Sequence, residues 1–212
     1  MTRIALIQGA SRGIGLQYCQ SLLTRDPQNV VIATCRNPEN ASGLLQLKQD
    51  HTDRLFIHQL DVSQSKDIEH VWKLSKEKFG KLDLLINSAG MLHPSGRGET
   101  SLRDVTMEGL AQTMATNAVG PLVMAKYFGP LLQKGGGGFG TQGSKSSHKG
   151  ILVNMSAKVG SIADNVLGGW YSYRMSKAAL NMATKNLSIE LGRGKNKVVC
   201  ITLHPGTVDT DL

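Results

Sequence analysis

The chain has 212 residues, of which 40% are apolar and 19% charged, with a formal net charge of +8. That length suits one domain over residues 1–212 with a sizeable core, and the composition is that of an ordinary globule. The basic residues are scattered, with no block of five or more, which argues against nucleic acid or a membrane surface as partner.

No apolar run reaches 18 residues, so no transmembrane helix is expected. The three cysteines, Cys19, Cys35 and Cys200, show no CxxC spacing or Cys/His cluster. Cys35 and Cys200, in apolar strand-like runs, read as buried free thiols, which suits a reducing compartment, the cytoplasm, and no metal site is expected. The sequence opens directly into an apolar strand, so neither a signal nor a transit peptide is expected.

In chain order, residues 3–8 read as a buried strand. The turn Gly9-Ala10-Ser11-Arg12-Gly13-Ile14-Gly15 follows, and then a helical pattern over 16–23. A strand, a glycine-rich turn and a helix is the layout of a dinucleotide site. The glycines admit close approach of phosphates, and the helix N-terminus offers free N–H groups. The spacing is GxxxGxG rather than GxGxxG. A second strand over 29–35 ends at Arg36. An acidic residue there would bind the ribose hydroxyls of NAD; Arg36 and Arg12 instead suit a 2′-phosphate, hence NADP(H).

Residues 55–60 form a third strand leading to Asp61-Val62, where Asp61 either contacts an adenine edge or caps the next helix. An amphipathic helix is expected over 67–79. A fourth strand over 82–86 leads into Asn87-Ser88-Ala89-Gly90, small enough for a ligand to approach the backbone. Residues 102–128 carry a helical pattern that includes Asn117, either a satisfied core amide or a working group. The glycine-rich stretch 134–150 reads as a flexible surface loop, not a domain boundary. Strands are expected over 151–156 and 197–203, with a helix over 173–192 between them. Within that helix Tyr173 and Lys177 share one face, one turn apart. An ammonium beneath a phenol favours the phenolate, making the pair a candidate proton donor and acceptor for a carbonyl or alcohol.

Four motifs together resemble the short-chain dehydrogenase/reductase family: Gly9 to Gly15, Asn87-Ser88-Ala89-Gly90, Tyr173-Arg174-Met175-Ser176-Lys177, and Pro205-Gly206-Thr207-Val208-Asp209-Thr210. Asp61, Val62 and Asn117 fit the same pattern. The stretches Gly160 to Asn165 and Gly168-Gly169-Trp170-Tyr171-Ser172-Tyr173 are similar to the C-factor and sniffer-like carbonyl reductases, plant members above all.

The resemblance implies a doubly wound parallel α/β sheet (a Rossmann fold) of about six strands in order 3-2-1-4-5-6, lacking the usual seventh. It implies that Tyr173 exchanges a proton with a substrate carbonyl while NADPH exchanges hydride. Lys177 would tune the tyrosine and hold the nicotinamide ribose, and Asn117 would keep a relay water. Gly9, Ser11, Arg12, Gly13, Ile14, Gly15, Arg36, Asp61, Val62, Asn87, Ala89, Gly90, Tyr173 and Lys177 would bind cofactor. So would Pro205, Gly206, Val208 and Thr210, with the segment 207–210 at the nicotinamide amide and diphosphate. It also implies homodimer pairing through the helices near Ala111 and Tyr173.

This sequence departs from the family pattern twice. The position that usually holds the catalytic serine is Ala157, with Ser156 one residue earlier and so on the opposite strand face unless a bulge re-aims it. The sequence also stops at Leu212, where a substrate-covering helix and a seventh strand usually follow. Two function classes are therefore in play: an NADPH-dependent aldehyde or ketone reductase, and a cofactor-binding regulatory or interaction protein without useful turnover.

Overall fold

The computed structural model describes residues 2–139, 147–206 and 208. Six strands form one parallel sheet: β1 (Arg3–Gln8), β2 (Asn29–Cys35), β3 (Leu55–Gln59), β4 (Leu84–Asn87), β5 (Gly150–Met155) and β6 (Val198–Leu203). Their order is β3-β2-β1-β4-β5-β6, as expected. The helices are α1 (Gly13–Arg25), α2 (Ser42–Asp50), α3 (Ser65–Phe79), α4 (Met107–Met114), α5 (Gly120–Leu132) and α6 (Tyr171–Glu190).

β1, β2, β4 and β5 read as nearly unbroken apolar runs because both of their faces are buried, whereas the edge strand β6 leaves Val199, Ile201 and Leu203 exposed. Successive residues point to opposite faces, and each face builds its own core. Ile4, Leu6, Ile32, Leu85 and Leu152 pack with Ile68 and Val71 of α3 and Met124 and Phe128 of α5. Ala5, Ile7, Val31, Ala33, Ile86 and Val153 pack with Cys19 and Leu23 of α1 and Leu44 of α2. The in-register row Ile32–Leu6–Leu85–Leu152–Cys200 runs through the first core across five strands.

Three elements differ from the sequence expectation. The strand expected over 82–86 is shifted to Leu84–Asn87. Asp83, 1% exposed, is a junction: it accepts from Ile4 N–H at 2.8 Å and Gly136 N–H at 2.5 Å and pairs with Lys81 at 3.1 Å. Helix α2 was not anticipated, because its nine residues bury only Leu44. The pattern over 102–128 divides into a 3₁₀ turn at Leu102–Asp104, α4, a π-helical turn at Ala115–Val119, and α5. Of the glycine-rich stretch, residues 140–146 lie outside those described, while Gly135 and Gly137 are packed and buried. Among the described residues no helix is long and apolar enough to cross a membrane.

Candidate active site

The C-terminal ends of β1 and β4 lie side by side where the chain reverses its order of strand addition, the crevice at which open parallel sheets bind ligands. The glycine turn sits here. Gly9 has φ +82°, and a Cβ on it would stand 2.5 Å from the Ala89 backbone nitrogen. A Cβ on Gly15 would press into the Gly9 carbonyl oxygen. The turn is thus closed on itself and on the Asn87–Gly90 segment, which is tied back by Ser88 N–H to Gln8 O at 2.9 Å and Ala89 N–H to the Gln8 side chain at 3.2 Å. Helix α1 begins at Gly13 with no side-chain cap and no acidic residue in its first turn. Its N-terminal N–H groups therefore have no capping side chain, as an anion site requires. Ser11 and Ile14 are half-buried in the turn, and Arg12 is exposed, like Arg36 at the end of β2.

Asp61 accepts from Ser63 N–H at 2.9 Å and Ser63 Oγ–H at 2.7 Å, and its own N–H donates to Asp67 at 2.9 Å. These bonds shape the turn after β3 and leave Val62 buried beside Gly120. Asn87 donates to Asn154 Oδ1 at 2.7 Å, and Asn154 donates to Thr184 at 2.8 Å, linking β4, β5 and α6 through a buried polar chain. Asn87 Oδ1 itself is buried with no hydrogen-bond partner, a costly state in a closed core but apt beside a ligand cradle.

Helix α6 presents Tyr173 and Lys177 on one buried stripe. Lys177 Nζ donates to Met155 O at 2.8 Å and lies 5.5 Å from the centre of the Tyr173 ring. Burial pushes the Lys177 ammonium down to about 8. Burial also pushes the Tyr173 phenol above its ordinary value. Exclusion of solvent disfavours the charged form of each group, which for Tyr173 is opposite in sense to the effect expected of the lysine.

Asn117 is fully buried in the π-helical turn, an irregularity frequent at functional sites. Its amide accepts from Met91 N–H at 2.8 Å and donates to Met91 O at 2.7 Å and Ser176 Oγ at 2.9 Å. It joins the segment after β4 to the Tyr173 helix. Ser156 Oγ donates to Asn181 Oδ1 at 2.6 Å, one turn beyond Lys177, and lines a polar cleft with Ala157, Lys158, Ser161, Asn181 and His204. Pro205, Gly206 and Val208 are exposed beyond β6, and Thr210 lies outside the described residues. Among the described residues no group of three His, Cys, Asp or Glu side chains is placed to hold a metal.

The structure gives roles to groups that the sequence left unnamed (Asn154, Asn181, Glu99) or named only as part of a motif (Ser176, Trp170). Asn154, Asn181 and Ser176 bond to the expected site residues. Glu99 and Trp170 meet at the start of α6. No spacing signal marks these, because their partners lie far away in sequence or behind unremarkable residue types.

Comparison with known proteins agrees with the fold. The family model described as short chain dehydrogenase matches residues 3–212. An oxidoreductase of Schizosaccharomyces pombe is 31% identical over 99% of this chain and 75% of its own length. The structure resembles carbonyl reductase Sniffer of D. melanogaster, with a TM-score of 0.85 and 33% identity over 100% of this chain and 83% of that one. It also resembles the NADPH-bound carbonyl reductase from chicken fatty liver, with a TM-score of 0.82 and 33% identity over 99% and 84%.

Proposed function

The chain belongs to the short-chain dehydrogenase family of oxidoreductases, and on that footing we propose that it reduces an aldehyde or ketone to the alcohol, or runs the reverse, with NADP(H). The observation that carries the reading is the Tyr173–Lys177 pair, buried on one face of α6 at the end of the sheet that also holds the glycine turn. Two solved relatives support the cofactor and reaction class: the chicken carbonyl reductase is NADPH-bound, and the fly protein is a carbonyl reductase.

The residues fit such a cofactor. The glycine cradle has no room for side chains, the α1 N-terminus has no side-chain cap, and Asn87 Oδ1 has no partner. Gly9, Ser11, Gly13, Ile14 and Gly15 would hold the diphosphate, with Arg12 and Arg36 on the 2′-phosphate. Asp61 and Val62 would flank the adenine. Asn87, Ala89, Gly90, Pro205, Gly206, Val208 and Thr210 would line the nicotinamide half. The cofactor, when bound, supplies or takes the hydride.

The chain's own residues would handle the proton. Tyr173 Oη would protonate the carbonyl oxygen as charge develops on it, and Lys177 would stabilise the resulting phenolate. Asn117 would keep the segment after β4 in register with α6, and Ser156 would orient the carbonyl oxygen. The three buried free thiols suit a reducing compartment such as the cytoplasm.

Tyr173→Phe tests the reading. It is expected to abolish NADPH-dependent reduction across a panel of aldehydes and ketones while NADPH still raises the Tm. Wild-type protein that binds NADPH yet reduces nothing in the panel would replace the reading with the cofactor-binding, non-catalytic one.

A further inference from the structure

Helix α6 starts in an unusual way. Gly168, Gly169 and Trp170 have φ of +66°, +65° and +48°, and Trp170 is the one non-glycine with positive φ among the described residues. A bulky residue in this region is strained, and such a conformation persists only where its surroundings over-determine it. Trp170 also occupies the cap position, where an indole has no acceptor to offer the first-turn N–H groups.

Both deficits are met from one place, Glu99, in the segment between β4 and α4. Its backbone carbonyl accepts from Trp170 N–H at 2.6 Å. Its side-chain Oε1 accepts from Ser172 N–H at 3.1 Å and from Ser172 Oγ–H. Glu99 is 2% exposed and Ser172 fully buried. Gly98 closes against the indole, where any Cβ would collide with Trp170 Cδ1. The Trp170 ring in turn stands edge-on to Tyr173, with centroids 6.3 Å apart and planes at 74°.

We infer that Glu99 is a positioning residue for the proton donor. Its buried carboxylate caps the catalytic helix from 73 residues away and, through Trp170 and Ser172, fixes where the Tyr173 hydroxyl stands. The segment after Gly90 and the Tyr173 helix are then one unit, pinned by Asn117 at one point and by Glu99 at another. A carboxylate at a helix N-terminus is favoured by the helix dipole as well as by its hydrogen bonds. Burial pushes the Glu99 carboxyl up, but the Ser172 hydroxyl and the backbone N–H groups more than offset this, leaving it below the usual glutamate range.

The inference rests on the reductase reading for its kinetic half only. The test compares wild type, Glu99→Ala, Glu99→Gln and Ser172→Ala. Three readouts are taken: kcat with NADPH and 4-nitrobenzaldehyde, the NADPH Kd by fluorescence, and amide hydrogen exchange of the peptide spanning residues 170–176. Glu99→Ala and Ser172→Ala should lose at least tenfold in kcat, exchange at least tenfold faster in that peptide, and keep the NADPH Kd within twofold. Glu99→Gln retains the acceptor oxygen and should stay within about threefold of wild type. Wild-type kcat and exchange in both Glu99→Ala and Ser172→Ala would overturn the inference. So would a Glu99→Gln loss as large as that of Glu99→Ala. If Glu99→Ala fails to fold, Ser172→Ala decides by the same thresholds. If wild type reduces nothing, the reductase reading fails, and hydrogen exchange still decides whether Glu99 anchors the helix.

Discussion

Lys177 is the residue whose chemistry depends most on where the fold puts it. Its folded value near 8 lies below the ordinary 10.5 because burial disfavours the ammonium. The folded state therefore binds fewer protons than the unfolded chain between those two values. The stability Lys177 contributes is fully present above about 10.5 and is lost as pH falls towards 8, a swing on the order of 3 kcal/mol. Lys177→Met should accordingly be the more stable protein at neutral pH, with its advantage shrinking by that amount up to pH 10.5. Urea melts of both proteins at several pH values check this, and a constant difference would contradict it. The comparison is made against the variant because Cys19 and Cys200 act in the opposite sense. Burial raises them to about 12 and about 11 from 9.0, so their contribution is lost as pH climbs above 9. Ser156 calls for a separate measurement. Ser156→Ala removes the hydrogen bond to Asn181, worth about 1 kcal/mol of stability. If Ser156 orients the carbonyl, turnover should also fall tenfold or more, roughly 1.4 kcal/mol; turnover equal to wild type would remove it from the site.

At the scale of elements, the β1–turn–α1 unit is tightly closed on itself and on its neighbour. Gly15 backs onto the Gly9 carbonyl and Gly9 onto Ala89, so backbone meets backbone with no flexible side chain to give way. Gly15→Ala should destabilise the fold by about 1–3 kcal/mol through overpacking and weaken NADPH binding at least tenfold. Thermal melts with a cofactor titration measure both, and unchanged affinity would mean that the turn is only a packing device. Helix α6 depends on its neighbours in another way. It gets no cap from its own Trp170, and its register against β5 is set by Lys177 on Met155, Ser156 on Asn181 and Asn154 on Thr184.

For the whole molecule, ligand linkage is the direct test of a formed crevice. NADPH at one hundred times its Kd should stabilise the folded chain by about 2.7 kcal/mol, visible as a rise in Tm, with a much smaller rise for NADH. Arg36→Ser should narrow that preference by tenfold or more. A larger rise with NADH would overturn the arginine argument. The architecture behind this crevice was mostly legible in the sequence. The central strands, buried on both faces, read as apolar runs, and β1, β2, β3, β5 and β6 fall at or within a residue of the expected places. Helix α2 was not legible because it buries one side chain, and β4 was displaced because Asp83 turns aside to bind Ile4 and Gly136.

By itself the sequence determined what is local and periodic: the strand–glycine turn–helix order, the one-turn spacing of Tyr173 and Lys177, and the guanidinium in place of an acid at position 36. These follow from backbone geometry and short-range spacing, which any window of the chain contains. Only the tertiary structure decided the burial that raises Tyr173 and lowers Lys177, the double anchoring of Asn117 between Met91 and Ser176, and the cap that Glu99 places on α6. Those depend on exclusion of water and on hydrogen bonds between residues tens of positions apart, which come into being when the sheet closes and its crossing segments meet.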